Sequence, residues 1–459
     1  MDENLVIMEL KQSYRLKSDL KPFFNPKSVV ICGASNVRGK FGNQIIRNLR
    51  NIGYKGKVYL VNPNRDEILG IPTHKSIKDL PEIPELGIVV LSASKVLKAV
   101  EICIDFGIKS IMVEASFLDT QTEMALTNLA RENDVRIIGS NTIGFINFSD
   151  NFTTSIIPVR CNFNGFGRIS YIAASGGLAG GCGWWSPNQE IGFSKIAHLG
   201  KACDVQKHEV LQYLIEDPAT EVILLHLVRL DKNLLKVIAK YHTEKPILFL
   251  KANQSTPCTI LQESGAIPVE TYHELFEMGK AFLRAPLPRG NKVGLIGPSS
   301  GALTLITTKL PVYGFELGVL SDETKQELRA KVLHPYNQDP NPNPVDYWPP
   351  LRFDGVEVGE KYAAGIRALL KDENINAVIV VLEIFKEIEF DIPTYFGTLQ
   401  EEFPEKPIVV ACIQVERPSL ERITKGLDKI NMLYYIQDVE RAVKALWTLY
   451  YFYKLKFRQ

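Results

Sequence analysis

The sequence predicts an α/β fold made of three successive parallel-sheet units, and two observations predict it. Short β-rich apolar runs alternate with longer amphipathic stretches almost from end to end, which is the pattern of strands joined by crossover helices. The runs are continuously apolar and do not alternate with polar residues, as strands covered on both faces require. A chain of 459 residues also has room for about three domains, each with its own core.

In the first unit, Ser28–Cys32, Val58–Val61, Gly87–Leu91, Ser110–Val113 and Arg136–Ile138 read as strands, each followed by a helix-like or turn segment. That series predicts a doubly wound domain over residues 22–150. The polar stretch 147–167 then reads as a crossover into a second unit, residues 151–285. Its strands are expected at Arg168–Ala173, Ser194–His198, Val222–Leu227 and Ile247–Lys251. The segment Ala285-Pro-Leu-Pro-Arg-Gly-Asn291 reads as a stiff linker, because its prolines deny helix continuation. A third unit, residues 291–459, follows with strands near Lys292–Ile296, Glu316–Val319, Ala377–Leu382 and Ile408–Ile413. Its proline-rich loop 333–351 is expected to be an extended excursion. The run from Arg168 to Leu178 echoes that from Lys292 to Leu303: a strand, a Ser-containing turn, then an apolar helix start. A shared flavodoxin-like plan and a coincidence of parallel α/β design both account for the echo.

Composition narrows the function. Hydrophobic residues make up 45% and charged residues 23%, an ordinary globular balance, and the formal net charge is +1. No global field points to nucleic acid or to an anionic membrane. The seven cysteines include no CxxC pair, which suits reduced thiols better than a disulfide framework. The first 21 residues lack the apolar core of a signal peptide, and runs such as Ile88–Ala93 are too short to span a bilayer. A soluble, cytoplasmic protein is expected.

Binding of phosphate must therefore come from local sites. The first strand is followed by Gly33-Ala-Ser-Asn-Val-Arg-Gly-Lys-Phe-Gly42 and then by a helix. Glycines let backbone N–H groups approach a pyrophosphate, and the helix N-terminus adds partial positive charge. The spacing departs from GxGxxG. The second strand ends Val61-Asn-Pro-Asn-Arg65, with no carboxylate for a ribose 2′-hydroxyl until Asp66. A basic residue there suits a phosphorylated ribose, as in CoA or NADP.

These runs, with GYKGKVYLVNPNRDEILG (53–70), GSNTIGFIN (139–147), GFSKIAHLGKACDV (192–205), LQYLIEDPATEVILLHL (211–227) and NPVD (343–346), resemble the α subunits of ADP-forming (NDP-forming) acyl-CoA ligases and of succinyl-CoA synthetase. The resemblance covers nearly the whole chain in the family's order. It implies a Rossmann-like CoA-binding domain followed by two flavodoxin-like domains, with coenzyme A as cofactor. It further implies that Gly33, Ala34, Ser35, Lys40 and Gly42 face the CoA phosphates, that Asn62, Pro63 and Arg65 flank the 3′-phosphoadenosine, that Ser92 and Ala93 touch the adenine, and that Asn141 is a further CoA-binding residue. Three positions depart from the family's pattern. Asn64 replaces a lysine, a proline near Ser92 is absent, and Asn141-Thr142 stands where an Asn-Cys pair is common.

In that family an acyl phosphate passes its phosphoryl group to a histidine in the second domain, and from there to a nucleotide on an ATP-grasp β subunit. Helix N-termini cradle the phosphate. The turn Ala174-Ser175-Gly176-Gly177 matches one of these cradles, and Ser175, Gly176 and Gly177 are the implied anion-binding residues. Serine is also a common plain N-cap. The histidine loop is missing: Lys251-Ala-Asn-Gln-Ser-Thr-Pro-Cys-Thr-Ile260 runs almost directly into Glu263-Ser-Gly-Ala-Ile-Pro-Val269 and contains no histidine. The family's supporting glutamate falls at Val228. Both halves of a phosphohistidine site are therefore absent.

His198 is the best-placed substitute, because it ends a strand near the phosphate site of the family. His208 and His273 fall on amphipathic helices as surface or boundary residues, His226 falls inside an apolar strand as core, and His74, His242 and His334 fall in polar loops. Cys182, Cys203 and Cys258 lie near the second site, where a small buried thiol is commoner than a nucleophile. Trp184-Trp185 reads as core or interface packing, with an acyl-pocket wall as the alternative. Ser175 and His198 are thus the catalytic candidates of a protein that handles CoA or acyl-CoA without a phosphohistidine. An ordinary ligase α subunit with a separate ATP-grasp partner, and a non-catalytic CoA-sensing pseudo-subunit, remain as alternatives. A homo- or hetero-oligomer is implied in each case.

Overall fold

The computed structural model describes residues 19–160, 167–185, 191–228, 231–251, 258–335, 337–348 and 352–457. The chain divides into two compact units, one running to Gly279 and the other beginning at Lys280.

The first unit opens with a short helix α1 (Lys21–Phe24) and β1 (Ser28–Cys32), then α2 (Phe41–Asn51), β2 (Lys57–Val61), β3 (Glu67–Ile68) and β4 (Ile71–His74). It continues with β5 (Leu86–Val89), α3 (Ala93–Asp105), β6 (Ser110–Val113), α4 (Thr120–Glu132) and β7 (Arg136–Gly139). The sheet order is β3-β4-β2-β1-β5-β6-β7, parallel from β4 onward. Chain order reverses direction between β1 and β5, the switch point at which doubly wound sheets bind ligands. α2 is held by burial of Ile45, Ile46 and Leu49 at helical spacing, and it stops at Gly53, whose φ of +80° suits a left-handed C-terminal turn.

The second sheet contains β8 (Gly144–Asn147), β9 (Phe152–Thr153), β10 (Ile169–Ile172), α5 (Gly176–Trp185), β11 (Phe193–His198), α6 (Lys207–Glu216) and β12 (Val222–Leu227). After these come α7 (Lys232–Tyr241), β13 (Ile247–Lys251), α8 (Cys258–Glu263), β14 (Ile267–Val269) and α9 (Tyr272–Arg284). The order β14-β13-β12-β10-β11-β8-β9 contains a parallel core with the flavodoxin-like 2-1-3-4-5 arrangement, extended by the antiparallel strands β8 and β9. The boundary expected at residue 150 therefore falls within the β8–β9 hairpin, which belongs to the second sheet. Residues 22–150 and 151–285 share one continuous core: Phe24 stacks on Tyr213 at 4.3 Å and packs on Phe145 at 4.4 Å. Arg136 of β7 binds both Asp204, at 2.8 Å, and Glu209, at 2.9 Å.

The second unit has β15 (Lys292–Gly297), α10 (Ser300–Lys309), β16 (Glu316–Leu317), α11 (Asp322–Lys331), β17 (Val345–Asp346), α12 (Gly355–Lys371) and β18 (Ala377–Leu382). It ends with α13 (Ile392–Phe396), α14 (Leu399–Glu402), β19 (Ile408–Cys412), α15 (Arg417–Lys429), β20 (Leu433–Ile436) and α16 (Val439–Phe457). The order β16-β15-β18-β19-β20 is again 2-1-3-4-5 and parallel. The echo between the Arg168 and Lys292 segments is thus the first strand and first helix of two sheets wound alike. The unit begins before the expected boundary at 291 because the last turn of α9 is tied to it: the Arg284 guanidinium binds the Asp428 carboxylate at 2.7 Å. The excursion 333–351 does carry extended backbone, and its Val345–Asp346 pairs with Ile296–Gly297.

Candidate functional site

The carboxyl ends of β1 and β5 define a crevice, and the sequence puts its glycine turn there. Gly33 has a φ of +106°, and a Cβ at that position would stand 2.1 Å from the carbonyl oxygen of Val90. A Cβ on Gly42, in the first turn of α2, would stand 2.2 Å from the Gly33 carbonyl oxygen. The two glycines therefore bring the helix start down onto the strand end, which leaves the first N–H groups of α2 facing the crevice without an intrahelical partner. Lys40, the N-cap residue, is exposed, has extended backbone and makes no side-chain cap.

Several of the expected residues meet here. The Asn62 amide donates to the Ala34 carbonyl at 2.9 Å, and the Asn43 amide donates to the Ser35 carbonyl at 2.9 Å. Ser35 Oγ accepts the Val37 N–H at 3.1 Å. Asn62 Oδ1 also accepts the Asn64 N–H at 2.9 Å, turning the chain so that Pro63 and Arg65 are exposed beyond it. Ser92 and Ala93 begin α3 directly after β5, on the other side of the switch point. Gly33, Ala34, Ser35, Lys40, Gly42 and Asn62 thus gather beyond the carboxyl ends of β1 and β2, and Ser92 and Ala93 follow the neighbouring β5. A glycine-tightened helix start with an exposed cation fits a pyrophosphate.

Asn141 lies elsewhere. It follows β7, two strands beyond β5, with a φ of +51°, and its Oδ1 accepts the Ser116 hydroxyl at 2.8 Å. Glu114 went unmarked in the sequence. It follows β6, is only 5% exposed, and burial pushes its carboxyl up to about 7. Its place directly after a parallel strand was the signal, because ligand-facing residues concentrate there.

Asn141 instead precedes Thr142 and Ile143, which bond His198 beside Gly176, the residue that follows Ser175. Ser175 Oγ accepts the Leu178 N–H at 3.5 Å, so Ser175 caps α5. His198 ends β11, and its ring lies against the first residue of α5: a Cβ on Gly176 would be 3.2 Å from His198 Cε1. Its Nδ1 accepts the backbone N–H of Ile143 at 3.2 Å, and its carbonyl accepts the Thr142 hydroxyl. An acceptor Nδ1 places the ring proton on Nε2. Burial, and then the charge of Lys207, push this imidazole down to about 4, so it is neutral at ordinary pH. Glycine also lets α5 approach its neighbours, since Cβ atoms on Gly180 and Gly183 would press on Ile157 and Ile146. Asn48 of α2 donates to the carbonyls of Ser155, at 2.7 Å, and Ile157, at 2.8 Å. The 155–159 segment is thereby pinned between the two candidate helices.

Residues 27–147 match the family described as CoA binding domain, and residues 166–259 match the succinyl-CoA ligase like flavodoxin domain. The chain thus carries a CoA-binding domain and a succinyl-CoA ligase-like domain, and its homologues are ADP-forming acetate–CoA ligases. It is 29% identical over 97% of its length to "Acetate--CoA ligase [ADP-forming] II" of Archaeoglobus fulgidus, of which it covers 68%. It is 28% identical over 83% of its length to the alpha subunit of the corresponding Pyrococcus furiosus ligase, covering 85% of that subunit. A crystal structure of a Pyrococcus horikoshii OT3 protein is 28% identical, covers 96% of this chain and 100% of its own, and has a TM-score of 0.81. Coenzyme A is the cofactor that the CoA-binding domain and the acetate–CoA ligase homologues support.

Against the family's pattern, the shortened loop falls largely at residues 252–257, outside the described residues, as does the Cys258 side chain. Val228 is described, and it is 46% exposed at the end of β12. Cys182 and Cys203 are each pushed up to about 12, chiefly by burial, which removes them as thiolate nucleophiles at neutral pH. Trp185 packs edge-on against Phe276, whereas Trp184 is 47% exposed. His208 is buried on the inner face of α6 and not at a surface, and His226 is only partly buried in β12. His74 ends strand β4 and His242 caps α7, where polar loops were expected. Among the described residues, no group of three or more His, Cys, Asp or Glu side chains could hold a metal ion, and no helix is long and apolar enough to cross a membrane.

The second unit holds a cavity of about 540 Å³ at the equivalent switch point, lined by Ser299, Ser300, Asp346, Trp348, Glu383 and Phe385. Ser299 caps α10 as Ser175 caps α5. The residue after the third strand of each sheet is Val228 in one and Glu383 in the other. Burial holds the carboxyls of both Glu383 and Asp346 above the usual range.

Proposed function

We propose that this chain binds CoA in the β1–β5 crevice and handles an acyl group, as acyl-CoA or in acyl transfer, at the N-terminus of α5, without passing a phosphoryl group through a histidine. One observation carries the reading: the Gly33–Gly42 contact keeps the phosphate-facing helix start intact, while the position of the family's supporting carboxylate is Val228. In this reading Gly33, Ala34, Ser35, Lys40 and Gly42 hold the CoA phosphates. Asn62, Pro63 and Arg65 flank the 3′-phosphoadenosine, and Ser92 and Ala93 meet the adenine. Asn141 stands between this crevice and the oxyanion site of Ser175, Gly176 and Gly177. A reduced cytoplasmic setting accords with the buried free thiols.

A second reading is an ADP-forming acyl-CoA ligase α subunit that meets its nucleotide on a separate ATP-grasp β subunit. It is favoured by the relative named as a subunit alpha, most of whose length this chain covers. Such a chain would work as a hetero-oligomer. Incubation with CoA, a carboxylic acid and γ-labelled ATP, with and without a β subunit, separates the readings. CoA binding with no label on protein histidine supports the first, whereas histidine-bound label overturns it in favour of the second. CoA binding with no turnover under any condition supports a CoA-sensing, non-catalytic subunit. Failure to bind millimolar CoA overturns all three.

A further inference from the structure

We propose that His198 is a neutral hydrogen-bond donor to an oxyanion held at the N-terminus of α5, its proton fixed on Nε2 by the Ile143 N–H that occupies Nδ1. The inference rests on the reading of α5 as the acyl-handling site and gives that site a side-chain partner. His198 is 8% exposed, and its ring lies against Gly176, the first residue of a ten-residue helix. Nδ1 is taken by the Ile143 N–H at 3.2 Å, whereas Nε2 has no hydrogen-bond partner among the described residues. The Nε2–H is not among the fully enclosed polar atoms, so it is open to a bound acceptor. The adjoining groups have the same polarity: the first amides of α5 and the Ser175 hydroxyl are donors. The complementary ligand is an oxygen of a phosphoryl or carboxylate group.

The arrangement makes His198 a donor and not a phosphoryl acceptor. With Nδ1 engaged and Nε2 protonated, neither nitrogen offers a lone pair to an electrophilic phosphorus. Thr142 and Ile143, both bonded to His198, directly follow Asn141. The same residue therefore ties the loop after β7 to the start of α5, which makes it a positioning residue as well as a ligand contact.

The test uses the full chain and two probes of fixed charge, sulfate for a phosphoryl group and acetate for a carboxylate. Nitrogen NMR of histidine-labelled wild-type protein should show His198 as the Nε2–H tautomer at pH 7, and one probe should shift that resonance. His198→Ala should weaken the responding probe about tenfold, while His198→Asn, which can both accept from Ile143 and donate, should keep most of the affinity. The probe that responds identifies the group. An Nδ1–H tautomer or an imidazolium at pH 7 overturns the proposal, as does an Nε2–H resonance that neither probe moves, or equal affinity in wild type and His198→Ala. The tautomer is read on the wild type, so it decides even if the alanine variant does not fold. CoA affinity is measured on the same samples. Its absence overturns the CoA-binding reading, and its retention with a failed probe test isolates the failure to His198.

Discussion

The carbonyl oxygen of Val90 lies 2.1 Å from the point where a Cβ on Gly33 would stand, at a φ of +106°. No side-chain rotamer relieves that overlap, because the obstacle is backbone of the neighbouring strand end. Gly33→Ala should cost about 3 kcal/mol or more, from strain and steric overlap together. Gly39, in the same loop with a φ of +92°, has nothing within 4 Å of its would-be Cβ. Gly39→Ala should cost only about 1 kcal/mol, the conformational term alone. Urea denaturation of both variants checks the contrast, and equal losses would mean that the β1–β5 approach is not tight.

Lys40 tests the crevice without disturbing the fold. It is exposed and makes no capping bond, so Lys40→Ala should leave the melting temperature unchanged. CoA affinity should fall about three- to tenfold at low salt, and by less at high salt, where an exposed charge is screened. Calorimetric titration at two ionic strengths measures both. Unchanged affinity would remove Lys40 from the phosphate contacts.

Much of this arrangement was legible in the sequence, for identifiable reasons. Ser28–Cys32, Ser110–Val113, Val222–Leu227, Ile247–Lys251 and Ala377–Leu382 are strands with the expected limits, because each is an apolar run that a parallel sheet buries whole. The elements left unread were short or partly exposed. β3, β9 and β17 have two residues each, and β20 lies between Asn431 and Gln437, both at positive φ, with no glycine or proline to mark its ends. The 147–167 stretch reads as crossover although it holds β9, because β9 pairs only with β8, and β8 in turn pairs with β11 far along the chain. Of the site, the glycine turn and the Ser175 cap were visible as local patterns. The Ile143–His198 bond spans 55 positions and has no local signature.

Glu114 makes stability depend on pH in a direction opposite to an ion-paired carboxylate. Burial raises its folded value to about 7, above the roughly 4.3 of an unfolded chain. Between those values the native state holds a proton that the unfolded chain has released. Stability therefore falls as pH rises through the window and levels off above about 7. Glu114→Gln should remove that slope: its melting temperature should match the wild type near pH 4 and exceed it at pH 8. A wild-type slope that persists in the variant would assign the dependence to another group.

Lys195 offers a sharper test of how the second sheet is held. It is 1% exposed on β11, with its ammonium 2.7 Å from Asp217, 3.0 Å from the Ser149 hydroxyl and 4.0 Å from Asp150. It thereby joins the β8–β9 turn to the end of α6. Removing the charge of one partner strands the other, but the two losses are unequal. Asp217 would keep the Thr220 hydroxyl at 2.5 Å, whereas a buried Lys195 without Asp217 would keep only hydroxyls nearby and a distant, half-exposed Asp150. Asp217→Asn should therefore cost about 3–5 kcal/mol, and Lys195→Met about half as much. The double variant should be more stable than the sum of the single losses, because neither buried charge is then left alone. Denaturation of the four proteins of this cycle measures the coupling, and strict additivity would mean that the pair adds nothing to the junction.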